Sequence, residues 1–116
     1  MTEPNNITVR NNPDRHRFEL LDGDTVIGES HYTAHQDADR AERIFYHTVV
    51  DDSYGGQGLA AVLTKQALGE TVAEGLAIVP VCPYVKLWVR KNDDYASDVV
   101  TVKPEHLQAL AALGGK

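Results

Sequence analysis

Between Arg43 and Cys82 the chain carries two apolar, strand-like runs separated by one helix-like run. "RIFYHTVV" (Arg43–Val50) is dense in β-branched and aromatic residues, and "LAIVPVC" (Leu76–Cys82) is continuously apolar, as a strand buried on both faces requires. From Leu59 to about Glu74 the pattern changes to helical spacing. Ala61, Thr64, Leu68 and Val72 form one stripe, with Gln66, Glu70 and Glu74 on another face. If the two strands share a sheet, they are parallel and joined by a right-handed crossover, which excludes an all-β or all-α fold. The crossover begins with "YGGQGLAA", a glycine-rich turn at the C-terminal end of a strand, where open sheets place ligands.

The remaining segments build around this unit. "ITVRNN" (Ile7–Asn12) and "HRFELLD" (His16–Asp22) read as short strands. Asp22-Gly23 between two β-rich runs signals a hairpin, because type I′ turns need positive φ. The polar stretch His35–Glu42 is expected to be a loop. Gly75 is placed to end the first helix, Pro83 to open a second over "PYVKLWVRK", and Pro104 to open a last helical piece. "NDDYASDVVTV" reads as a polar connector with room for one short strand. At 116 residues this is expected to be one domain, residues 1–116, with 1–6 frayed and 103–116 a helical tail. Its class is α+β.

Composition narrows the function classes. No apolar run is long enough to span a bilayer, and the polar N-terminus shows no secretory signal. One cysteine, Cys82, allows no internal disulfide, in keeping with a cytoplasmic location. Seventeen acidic against 11 basic residues give a net charge of −6, which argues against nucleic-acid binding and is compatible with a cationic partner.

A glycine turn entering a helix suits phosphate binding, and the surrounding residues exclude two owners. A nucleotide P-loop needs Lys directly after its last glycine, but Gly58 is followed by Leu59 and Ala60, and the nearest lysine is Lys65. Gly56–Ala61 does match G-x-G-x-x-A. A dinucleotide site, however, wants an acid closing the next strand, and that strand ends in Cys82. A coenzyme A site and a plain tight turn remain.

"VVDDSYGGQGLA" resembles motif A of the GNAT acyltransferase superfamily, in which a strand ends in Q/R-x-x-G-x-G/A and runs into a helix. Gly55 takes the first position, followed by Gly56, Gln57, Gly58, Leu59 and Ala60. Gly55 stands where the family usually has Arg or Gln. "HTVVDDSYGGQGLAAVL" followed by "IVPVCPYVKLWVRKNDDY" is similar to the minimal stand-alone branch of that superfamily, related to YjdJ, over residues 16–98. Tyr46 stands where that branch often carries Glu.

The resemblance implies a compact fold: a mixed, mostly antiparallel sheet with one parallel, splayed strand pair and helices packed on it. It also implies acetyl-CoA as co-substrate without a metal, and an amine or lysine-containing acceptor. CoA would wedge between the two parallel strands, beside Val49 and Val50, with its pyrophosphate held mostly by the backbone amides of Gly56 to Ala60, next to Gly55. Cys82, at the start of a helix that lowers thiol pKa, is a candidate to carry the acyl group, protonate the departing thiolate or form a disulfide with CoA. The plainer reading is a buried small hydrophobe. His47 is a candidate general base, against a reading in which it bonds within the sheet beside Thr48 and shares a core face with Phe45 and Val49. Tyr84, and less directly Tyr95, can protonate the leaving thiolate, and Lys86, with Arg90 and Lys91, can meet CoA phosphates. Packing is the favoured explanation for either tyrosine, a solvated face is the commoner one for the basic residues, and Trp88 reads as core. A non-catalytic CoA or acyl-CoA binding module is the competing expectation.

Overall fold

A computed structural model describes residues 6–37, 39–55 and 58–114. Five strands form one sheet in the order β1-β2-β3-β4-β5: β1 (Ile7–Asn12), β2 (Arg17–Asp22), β3 (Thr25–Gln36), β4 (Ala41–Val50) and β5 (Ala77–Pro80). The first four make an antiparallel meander, and β5 lies parallel to β4 after the crossover helix α1 (Leu59–Ala73). Helices α2 (Pro83–Lys91) and α3 (Pro104–Gly114) follow. This is the α+β architecture expected, a mixed sheet that is antiparallel except for β4 and β5.

Turn chemistry places the boundaries. Gly23 adopts φ +62° in the β2–β3 hairpin and Gly75 φ +81° just past α1, both conformations that favour glycine. The polar stretch His35–Glu42, expected to be a loop, is strand at both ends, His35 and Gln36 closing β3 and Ala41 and Glu42 opening β4. His35 pairs with Glu42 and Gln36 with Ala41, because the cross-strand His35–Glu42 hydrogen bond lets polar side chains extend the ladder. Between the two strands, Asp37 N–H donates to the Arg40 carbonyl at 3.0 Å.

The core lies between the sheet and the two helices α1 and α2. Phe18, Leu20, Tyr32, Phe45 and Ile78 of the sheet meet Leu63, Ala67 and Leu68 of α1 and Val85 and Trp88 of α2. The buried face of α1 is Leu59, Leu63, Thr64, Ala67, Leu68 and Thr71; Ala61 and Val72, expected on the stripe, sit half-buried at its margins. The face is wider than one stripe because α1 packs on the sheet and against α2 together. Arg43 points to this same side, its guanidinium 4.4 Å from the Tyr32 ring centroid and bonded to Thr71 Oγ1 at 3.1 Å.

The opposite sheet face is polar near β1 and β2. Glu19, almost fully buried, accepts from Arg10 Nε at 2.8 Å, Arg17 Nε at 2.8 Å and Asn12 Nδ2 at 3.1 Å. Burial pushes its carboxyl pKa up, but the bonds from Arg10, Arg17 and Asn12 together outweigh that and hold it below the ordinary value. A carboxyl whose folded pKa is depressed stabilises the fold fully above its unfolded pKa, and that contribution is lost as pH falls through the folded value. The urea midpoint of the wild type is therefore expected to exceed that of Glu19→Gln at neutral pH. The gap should close as the solution is acidified through the carboxylate range.

Candidate active site

The site begins where β4 and β5 part. Their parallel register runs from Glu42–Ala77 to Phe45–Pro80 and stops there. Pro80 has no N–H to continue the ladder, and the next two amides, Val81 and Cys82, both donate to the single Phe45 carbonyl at 3.1 and 2.8 Å. The expected strand Leu76–Cys82 is thus shortened to Ala77–Pro80. β4 runs on alone through Val50, paired with β3 on one side and with no strand on the other among the described residues. Tyr46–Val50 therefore presents an open backbone edge into the gap.

A β-bulge sits at the same point. Tyr32 pairs with Phe45 and His31 with His47, leaving Tyr46 as the extra residue. One inserted residue reverses which face the following side chains take. Phe45 is fully buried, whereas His47 is exposed and Val49 is 46% exposed, while Val50 packs on the core side. The expected core face shared by Phe45, His47 and Val49 is therefore corrected: His47 stands on the face away from α1 and α2. Across from it lies His31, ring centroids 5.6 Å apart.

Beyond Val50 the chain is fixed before the glycines begin. Asp51 Oδ1 accepts from Ser53 N–H at 2.9 Å and from Ser53 Oγ at 2.8 Å, and these bonds lower its carboxyl pKa. Tyr54 donates its phenol to Asp22 Oδ2 at 2.6 Å, which raises the phenol's pKa. Gly55 N–H closes this turn on the Asp52 carbonyl at 3.0 Å. Gly56 and Gln57 lie outside the described residues. Gly58 then caps α1 at φ +70°, its carbonyl accepting from Val62 N–H. The N–H groups of Gly58, Leu59, Ala60 and Ala61 have no partner within the helix, and no acidic side chain occupies the first turn. Such a donor set, at the positive end of a 15-residue helix, fits an anion.

The other candidates gather around α2. Cys82 is its N-cap residue, but the side chain is only 3% exposed and packs in the core cluster. Tyr84, the second residue of the helix, is half-buried against that cluster. Lys86 is exposed and, with Pro80, Val99 and Val102, lines a shallow cleft of about 390 Å³ beside the end of β5. Arg90 and Lys91 are basic residues in the last turn, where the helix dipole favours them. Trp88 is core, as expected, and Tyr95 stacks on it at 6.2 Å. The bridge of Val99 to Ile78 is all that forms of the short strand allowed for in the connector.

Sequence reading did not find the buried cluster behind β4. Glu42 Oε1 accepts from His35 Nδ1 and from His106 Nε2 of α3, each at 2.8 Å. His35, Glu105 and His106 bring ligand-type atoms within 4.8 Å of one another. Yet both His106 nitrogens are already engaged, Nε2 with Glu42 and Nδ1 with Lys103 N–H at 2.9 Å. The cluster holds α3 to the sheet by hydrogen bonds.

A sequence family described as GCN5-related N-acetyl-transferase matches residues 17–99. The structure is similar to the solution structure of a GCN5-like candidate N-acetyltransferase from Staphylococcus aureus, with a TM-score of 0.61 at 24% identity. That likeness covers 88% of this chain and 96% of the other, and concerns the fold. Comparison with curated proteins returned no match. The matched segment holds β2 to α2, hence both parting strands and the glycine turn between them, and the chain belongs to the GCN5-related N-acetyltransferase family.

Proposed function

We propose that this protein moves an acetyl group from acetyl-CoA to an amine. The observation that carries the reading is the parting of two parallel strands at Phe45 and Pro80, with the glycine-capped end of α1 following the open strand. Gly58, Leu59 and Ala60, with Gly56 and Gln57 after Gly55, would hold the pyrophosphate on backbone amides, so the missing side-chain cation at Gly55 is not essential. The unpaired edge at Val49 and Val50 offers backbone groups to the amide-bearing arm of CoA, and Lys86 adds a cation near the end of β5. Bound acetyl-CoA supplies a thioester, and the protein's task is to orient it and to move protons.

His47, exposed beside the gap, suits the removal of a proton from the attacking amine. Tyr84 suits the return of a proton to the departing thiol. Burial of Cys82 supports Tyr84 over it for that role, and leaves the cysteine a packing residue beside the wedge. The same burial favours a second reading, a binding module without turnover, because it withdraws the one strong nucleophile.

Thiol release from acetyl-CoA, measured against a panel of alkyl amines and lysine peptides, separates the two. Turnover by the wild type is expected, with His47→Ala lowering kcat by about 10²–10⁴ while acetyl-CoA affinity holds. Tight binding without thiol release from any acceptor would leave the binding module as the better reading.

A further inference from the structure

The sheet face on which His47 stands carries a second imidazole, on β3, with no role in the proposed transfer so far. His31 is the register partner of His47 across the β3–β4 ladder, brought there by the bulge at Tyr46. Its Nε2 meets Glu29 Oε1 at 2.8 Å, and the other Glu29 oxygen meets Arg17 Nη1 at 3.2 Å. Arg17 in turn is fixed by the buried Glu19 at 2.8 Å. A carboxylate bonded to one ring nitrogen selects the tautomer that leaves the other nitrogen free to accept a proton. The groups facing His31 are Glu29 on its own strand, Arg17 on β2, and Tyr46 and His47 on β4, with ring centroids 6.2 and 5.6 Å away. With their ring centroids 5.6 Å apart, the two imidazoles are close enough neighbours for one water or amine nitrogen at their edges to bond to both, each such bond being about 2.9 Å.

We infer that Glu29, His31 and His47 form the acceptor side of the site, with both imidazoles contacting the amine or its bridging water and Glu29 positioning His31. The inference rests on the acyltransferase reading. An acceptor arriving as an ammonium ion gives one proton to this pair, which passes it to water. Its nitrogen then forms the new bond to the acetyl carbon as the carbon–sulfur bond breaks, and the second nitrogen proton leaves to the thiolate. Arg17 balances the charge of Glu29, so the carboxylate acts on the imidazole and does not itself bind the ammonium. A strand face with this arrangement favours a slim primary amine, such as a lysine side chain, whose nitrogen can reach the edges of both rings.

The test compares wild type, Glu29→Gln, Glu29→Asp and His31→Asn with acetyl-CoA and a lysine-containing peptide. Thermal melts confirm folding, and a direct titration gives acetyl-CoA affinity. His31→Asn is expected to lower kcat/KM for the peptide at least 10-fold. Glu29→Gln should lower it by a similar factor. Glu29→Asp should restore part of the rate. Acetyl-CoA affinity should change less than threefold in all three. If wild type transfers acetyl and Glu29→Gln keeps its rate, the inference fails and the acyltransferase reading stands. Equal loss of CoA affinity and rate would assign Glu29 a structural role and also overturn it. Absence of transfer by the wild type counts against both.

Discussion

Ala60→Asp is expected to lower acetyl-CoA affinity at least 100-fold while leaving α1 slightly more stable. Ala60 is the second residue of a helix whose first turn carries no acid and whose cap, Gly58, has no side chain. A carboxylate there satisfies the helix dipole and should stabilise the fold by about 0.3–1 kcal/mol. The same charge meets a bound pyrophosphate at close range, where like charges about 4 Å apart in a partly exposed site repel by roughly 4 kcal/mol. At 1.4 kcal/mol per tenfold, even half of that repulsion costs more than an order of magnitude, and the carboxylate also occupies the amides the ligand needs. Ala60→Asn, of the same size without the charge, should bind within a few fold of wild type. Calorimetric titration and thermal melts of the three proteins check the opposite signs. An unaltered affinity in Ala60→Asp would remove the phosphate seat from this turn.

The second large effect concerns stability. His106→Ala should cost about 3–5 kcal/mol, because it leaves a buried carboxylate with one partner fewer. Glu42 is 3% exposed and His106 fully buried, and each depends on the other across 64 residues of sequence. His106 also accepts from Lys103 N–H at the start of α3, the role that Glu or Gln takes in a capping box. It is the one buried residue of that helix among those described, so α3 should detach when it is truncated. Urea unfolding gives the loss, and amide exchange should rise across residues 104–114. Glu42→Gln should be milder, since an amide oxygen can still accept from both rings.

Much of the fold was legible because a few positions permit little else. Asp22-Gly23, Gly75 and the prolines opening α2 and α3 demand particular backbone angles, and these boundaries stand where the sequence places them. The crossover followed from two apolar runs flanking a helical one. What stayed hidden depends on register between strands. Tyr46 looks like any strand residue, and only its pairing opposite β3 makes it the bulge that turns His47 outward and sets it beside His31. The extension of β3 and β4 through His35 and Glu42 was hidden for the same reason, since polar composition says nothing of a cross-strand partner. The Glu42–His106 contact joins segments too far apart for any local pattern to signal. Cys82 illustrates the reverse: its place at the N-cap of α2 was readable, but its burial in the core came from packing by Phe45 and Val85.

Amide hydrogen exchange with and without acetyl-CoA addresses the proposed site most directly, because its binding groups are backbone amides. Acetyl-CoA should slow exchange at Gly58 to Ala61, the unpaired first turn of α1, and along Tyr46 to Val50, the open edge of β4. Saturation with ligand that leaves both stretches exchanging as in the free protein would contradict a CoA site between the parted strands.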